Sequence, residues 1–103
     1  MAKSLLERRL IDVSDRLKRL RAELAVAEEQ VEFFTSEADD ARLRSLVSET
    51  PLAEAEAHET GRHADAQARQ RDALRRSIAE LEKEQDTLLD RMAKELPSNN
   101  LPT

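Results

Sequence analysis

LERRLIDVSDRLKRLRAELAVAEEQVEFF, residues 6–34, carries an apolar side chain at alternating steps of four and three: Leu6, Leu10, Val13, Leu17, Leu20, Leu24, Ala27, Val31 and Phe34. Ala38 and Ala41 keep the same frame. A free α-helix turns once in about 3.6 residues, so a strict repeat of about 3.5 stays on one partner only if the two helices wind round each other. The residues between are mostly charged, which sends them to water. The pattern predicts a long helix with a single apolar seam.

A second seam runs through Leu74, Ile78, Leu81, Gln85, Leu88 and Met92 with the same alternation. Traced backwards it passes Arg71, Gln67, Ala64, Thr60, Ala57 and Ala53, thinning into small and polar residues. Between the seams lies Ser48-Glu49-Thr50-Pro51. A threonine hydroxyl caps a helix start, and proline suits the first helical position, whose N–H would have no intrahelical acceptor. The spacing therefore predicts a helix over 3–47, a turn at 48–50 and a helix over 51–95. Gly61 is the place where the second helix could break, because an interior glycine costs about 1 kcal/mol against alanine. Pro97 to Thr103 holds two prolines and no periodicity; it is expected to be a disordered tail beyond a helical domain of 1–96.

Folding the chain about Glu49 sets Leu6 opposite Met92, Leu10 opposite Leu88, Leu17 opposite Leu81, Leu20 opposite Ile78 and Leu24 opposite Leu74. Two heptad frames mirror onto each other by chance in about one case in seven. Here the turn also falls at the mirror point. The expected fold class is all-α, an antiparallel two-helix coiled-coil hairpin. Composition agrees, for the sequence has one glycine, two aromatic residues and 38% charged residues, and a β-rich fold would need turn formers and aromatic or β-branched strands.

The leucine-rich half holds the large pairs, each buried side chain contributing about 1.5–3 kcal/mol. In the other half Ala27 faces Arg71, Val31 faces Gln67 and Phe34 faces Ala64, layers that bury little. Two helices share only one stripe, so a homodimer forming a four-helix bundle through the leucine-rich half is expected. Leu5, Ile11, Val26 and Leu89 lie off the seam and are its candidate contacts. The alternative is that these four are scattered surface apolars, which are normal. Arg16 with Glu84, and Arg44 with Glu56, are the expected flanking ion pairs.

Catalytic chemistry finds little footing. No cysteine is present, which removes disulfides, thiolate metal sites and cysteine nucleophiles together. His58 and His63 are five apart, about 140° round a helix, whereas a zinc-binding His-Glu-x-x-His pair needs four to share a face. No glycine-rich phosphate loop occurs, and a helix pair offers no dry pocket for paired carboxylates. No enzyme activity, metal or cofactor is expected. The first residues hold no apolar run long enough for a signal peptide, nothing approaches a membrane span, and a cytoplasmic setting is expected. A net charge of −5 speaks against duplex nucleic acid, whose affinity comes from phosphate neutralisation.

What remains is binding. Residues 45–61 contain Glu49, Glu54, Glu56 and Glu59 but no lysine or arginine, so the bend is an acidic end. Leu43, Leu46, Val47 and Leu52 lie beside it and off the seam. They either dock a partner protein or pack locally around the turn. Lys18, Arg19, Arg21, Arg75 and Arg76 form a possible basic belt for RNA or an acidic protein surface, although no aromatic residue accompanies it for base stacking. The leading expectation is a non-enzymatic interaction module that scaffolds, bridges or inhibits a larger cytoplasmic protein. The outline also resembles the hairpins of Gre-type transcription factors. That resemblance implies a partner in RNA polymerase and a metal-coordinating acidic tip. Those proteins carry a compact acidic pair and a second globular domain, where this sequence has the scattered Glu49, Glu54 and Glu56 and no second domain.

Overall fold

The structure is a computed structural model and describes residues 4–95; the tail expected at 97–103 lies outside the described residues. Two helices account for nearly all of it, α1 (Leu5–Ser48) and α2 (Pro51–Glu95), and no strand occurs among the described residues. Ser48, expected in the turn, is instead the last residue of α1, leaving only Glu49 and Thr50 between the helices. The start of α1 is built by Ser4. Its hydroxyl oxygen accepts the Glu7 N–H at 3.1 Å and its O–H donates to Glu7 Oε1 at 3.3 Å. This is a variant of the serine-to-glutamate reciprocal cap, satisfying a backbone donor that would otherwise lack a partner.

Contacts divide the described residues into two compact units, residues 4–21 with 76–95, and residues 22–75. In the first, Val13, Leu17, Ile78, Leu81 and Leu88 are buried, with Leu6, Leu10, Leu20 and Met92 half-buried beside them. All nine belong to the two seams. Gln85, the polar member of this stretch, donates through Nε2 to Ser14 Oγ at 3.2 Å, so its amide is not stranded against leucine. Arg9 pairs with Glu84, and Arg21 pairs with Glu82 at 3.0 Å. The expected partner of Glu84 was Arg16. The carboxylate has turned toward Arg9, one heptad nearer the start of α1, while Arg16 lines the same shallow surface depression as Glu84.

The second unit, residues 22–75, has a different interior. Its buried side chains are Ala27, Ala38 and Ala41, all small, and Leu24, Val31, Phe34 and Leu74 are half-buried. Thr60 sits on the α2 seam with its hydroxyl turned back onto its own helix, donating to the carbonyls of Glu56 and Ala57 at 3.0 and 3.1 Å. Arg71 also occupies a seam position. Its side chain is three-quarters covered, and Nε reaches Asp72 Oδ1 at 3.1 Å. Arg75 pairs with Glu28 at 3.0 Å, and Arg44 with Glu56 at 3.7 Å.

The ion pairs between helices record the chain direction. Arg9, Glu84, Arg44 and Glu56 each precede a seam residue; Arg21, Glu82, Glu28 and Arg75 each follow one. Preceding pairs with preceding, and following with following. Antiparallel helices bring like flanks together in this way, whereas parallel helices would pair a preceding residue with a following one. Being exposed, each pair contributes about 0–1 kcal/mol at most and serves register more than stability.

α2 passes Gly61 without a break, and Gly61 has no positive φ. A β-carbon built there would meet nothing within 4 Å. Only the conformational freedom of glycine in the unfolded chain is then being lost on folding. Gly61→Ala is expected to raise stability by about 0.5–1 kcal/mol, moving Tm up by roughly 4–8 °C per kcal/mol for a chain of this size. Thermal unfolding followed by circular dichroism checks it, and a lowered Tm would mean that Gly61 does not lie in uninterrupted helix.

Candidate functional site

The bend joins α1 to α2 with two residues, and its chemistry explains why it falls there. Glu49 has φ of 51°, the left-handed region that an L side chain enters at a cost of roughly 1–2 kcal/mol. In that conformation its N–H donates to the Ser45 carbonyl at 2.9 Å, which closes the end of α1 in the single-bond left-handed cap. Thr50 then opens α2. Its hydroxyl accepts the Ala53 N–H at 3.2 Å and its carbonyl accepts the Glu54 N–H at 3.0 Å. Pro51 follows at the first helical position.

Around this bend stand four large apolar side chains. Leu43, Leu46, Val47 and Leu52 are 60–84% exposed. Leu43, Leu46 and Val47 are three and four residues apart, one stripe of the last turns of α1. That stripe is not the seam, whose members here are Ala41 (buried) and Ser45 (half-buried). The apolar side chains therefore do not close the turn by packing on it; they face solvent. Glu49 and Glu54 have no salt bridge among the described residues, Glu56 is held by Arg44, and Glu59 lies 3.5 Å from both Arg62 and His63. The last turn of α1 holds no basic residue. A helix C-terminus carries about half a negative charge, so the helix end adds to the acidity of the bend.

The other residues singled out from sequence are dispersed. Leu5 is 80% exposed, and lines an open groove of about 740 Å³ with Leu6, Leu88, Arg9 and Glu84. Ile11 and Leu89 are 43% and 47% exposed, and Val26, in the alanine-rich unit, is exposed as well. Of the basic residues, Arg21 is taken by Glu82 and Arg75 by Glu28, so two of the five charges are compensated; Lys18, Arg19 and Arg76 are exposed. Among the described residues no group of three or more His, Asp or Glu side chains is placed to hold a metal ion, and no helix is long and apolar enough to cross a membrane.

Phe33 is a surface feature that the seam pattern passes over. Two consecutive phenylalanines leave room for only one on the stripe, and Phe34 takes it. Phe33 is 59% exposed and meets Phe34 edge to face, with ring centroids 5.3 Å apart. The Phe34 ring in turn stacks on His63, 6.2 Å between centroids and 27° between planes. His63 therefore does more than face solvent: its imidazole lies against the face of a seam aromatic whose mirrored partner, Ala64, is small.

The bend geometry makes two opposite expectations. Thr50→Ala removes the cap and should cost about 1 kcal/mol. Glu49→Gly relieves the left-handed backbone and should stabilise by up to about 1 kcal/mol, part of the relief being lost to the greater freedom of unfolded glycine. Urea unfolding of both variants checks the pair; a Glu49→Gly chain less stable than the parent would mean that Glu49 is not left-handed.

Comparison with known proteins found no matching family model, no matching curated sequence and no matching solved structure.

Proposed function

We propose that this chain is a non-enzymatic interaction module of the cytoplasm, a coiled-coil hairpin that dimerises into a four-helix bundle and serves a larger protein as scaffold, adaptor or inhibitor. One observation carries it. Among the described residues nine large apolar side chains stand exposed, against five buried and eight half-buried on the seams. Single exposed apolars are ordinary on a protein surface, but a chain that leaves nine large apolars exposed and eight more only half-covered has unfinished burial. No cysteine is available to brace so small a core, which leaves association as the remaining stabiliser.

Within the unit of residues 4–21 and 76–95, Ile11 and Leu89 are the residues for a homodimer. They follow Leu10 and Leu88, which the mirrored register sets opposite each other. Following positions share one side of an antiparallel pair, as Arg21 and Glu82 do at 3.0 Å. An apolar pair on one side, half exposed, is the seam that a second copy would close by two-fold symmetry.

Sedimentation equilibrium and thermal melts at several protein concentrations test the reading. The parent chain should be dimeric at micromolar concentration, with a Tm that rises with concentration because association stabilises the folded form. Ile11→Glu combined with Leu89→Glu should weaken the dimer by about a hundredfold or more, since two desolvated charges per chain would enter the contact. A parent chain that stays monomeric at about millimolar concentration, with a Tm independent of concentration, overturns it.

A further inference from the structure

We infer that the bend is a docking site for a basic amphipathic helix of a partner protein, with Leu43, Leu46, Val47 and Leu52 receiving its apolar side chains and Glu49 and Glu54 its lysines or arginines. The inference rests on the interaction-module reading and deepens it by naming the chemistry of the partner.

The apolar half of the site is the stripe Leu43, Leu46 and Val47 together with Leu52 across the two-residue turn, all mostly exposed. The three α1 residues have the i, i+3, i+4 spacing of one helix face, and Leu52 stands at the start of the next helix; exposed apolar side chains at this spacing are the complement of the i, i+3, i+4 anchors of an amphipathic helical segment. Charge selects the occupant. Residues 45–61 hold four glutamates and no lysine or arginine, and the nearest basic side chain, Arg44, is already engaged by Glu56. α1 ends without a cation in its last turn. The Ser45 carbonyl is taken by the Glu49 N–H, but the carbonyls of Leu46, Val47 and Ser48 receive no backbone donor from the described residues. A lysine or arginine meets both needs: its aliphatic stem lies along leucine while its head reaches carboxylates and free carbonyls.

A second copy fits less well. Bend against bend would bring two sets of unpaired glutamates together, and like charges facing across an interface are strongly disfavoured. Bend against another part of a second copy would be a head-to-tail contact, which leads to open-ended chains unless the rotation happens to close. An anionic membrane surface is repelled by the same charge.

The test uses the full chain, isotopically labelled, and three synthetic helical peptides of about 15 residues. The first has leucines at i, i+3, i+4 spacing with lysines elsewhere, the second replaces its lysines with glutamates, and the third replaces its leucines with serines. The leucine–lysine peptide should shift the backbone amide resonances of residues 43–56 and leave those near Ile11 and Leu89 in place. Its affinity should fall about tenfold or more in a Leu46→Ser, Val47→Ser chain, and several-fold on raising salt from about 50 to 300 mM. The other two peptides should bind about tenfold more weakly or not at all. Equal binding of the serine–lysine peptide reduces the site to charge alone and overturns the proposal, as do shifts spread over the whole chain. Dilution of the chain without peptide provides the remaining arm. Resonances of 43–56 that move on dilution would make a second copy the occupant, which also overturns it. Movement confined to the amides near Ile11 and Leu89 reports the dimer independently, so failure at the bend and failure of the dimer are read from different residues.

Discussion

A helix covered by one neighbour can hide one stripe and no more, and this geometric limit governs what every side chain here can do. The protected positions of both helices repeat every seven residues: Val13, Leu17, Ile78, Leu81 and Leu88 in one unit, Ala27, Ala38 and Ala41 in the other. A large apolar residue outside that repeat has no interior to enter. Leu5, Ile11, Val26, Phe33 and the leucines of the bend are exposed for this reason and not because the helices pack poorly. Polar residues on the stripe must find partners close beside it. Gln85 finds Ser14, Thr60 turns back on its own carbonyls, Arg71 takes Asp72, and no buried side-chain polar atom among the described residues lacks a partner.

The two units spend their stripes on different residues. Leucine and isoleucine supply about 1.5–3 kcal/mol each when buried, whereas alanine brings helices close while removing little apolar surface from water. The unit of residues 22–75 is thus held by small contacts, a three-quarters-covered arginine and exposed ion pairs worth about 0–1 kcal/mol each. Segments with few buried apolar contacts open more readily than the rest of a fold. The acidic bend lies in this unit. Easy local opening there would suit the docking proposed for the bend.

Most of the helical architecture was legible in the sequence because burial on a seven-residue period needs no knowledge of distant contacts. Leu6 through Ala41 can be read off by spacing, and Thr50-Pro51 marks the start of α2 by cap chemistry alone. Ser4-x-x-Glu7 was equally available as a start signal for α1, and is a better one than counting back from the seam. Side-chain direction was less legible. The mirrored register sets Glu84 nearer Arg16 than Arg9, yet the carboxylate pairs with Arg9, because long flexible side chains reach past the position opposite. The bend had two readings for the same reason: four apolar residues near a turn can fold inward or stay out. They stay out because Leu43, Leu46 and Val47 fall on the stripe opposite the seam, where α2 does not reach. The stacking of His63 on Phe34 was hidden because it joins a seam residue to an off-seam one.

The bend itself is close to energetically neutral, and that has a consequence for how it is held. Left-handed Glu49 costs roughly 1–2 kcal/mol. The Thr50 cap returns about 1 kcal/mol, and proline at the first helical position restricts the unfolded chain by about 0.4–1 kcal/mol more. These nearly cancel, so the turn chemistry fixes where the chain reverses without supplying much force to keep the helices together. That force comes from the stripe. A glycine at position 49 would have made the turn easier, but it would also have removed a carboxylate from the end of α1, where no cation is present. The residue found there makes the turn slightly worse and the bend more acidic, which is the direction expected if the charge is used by something that binds.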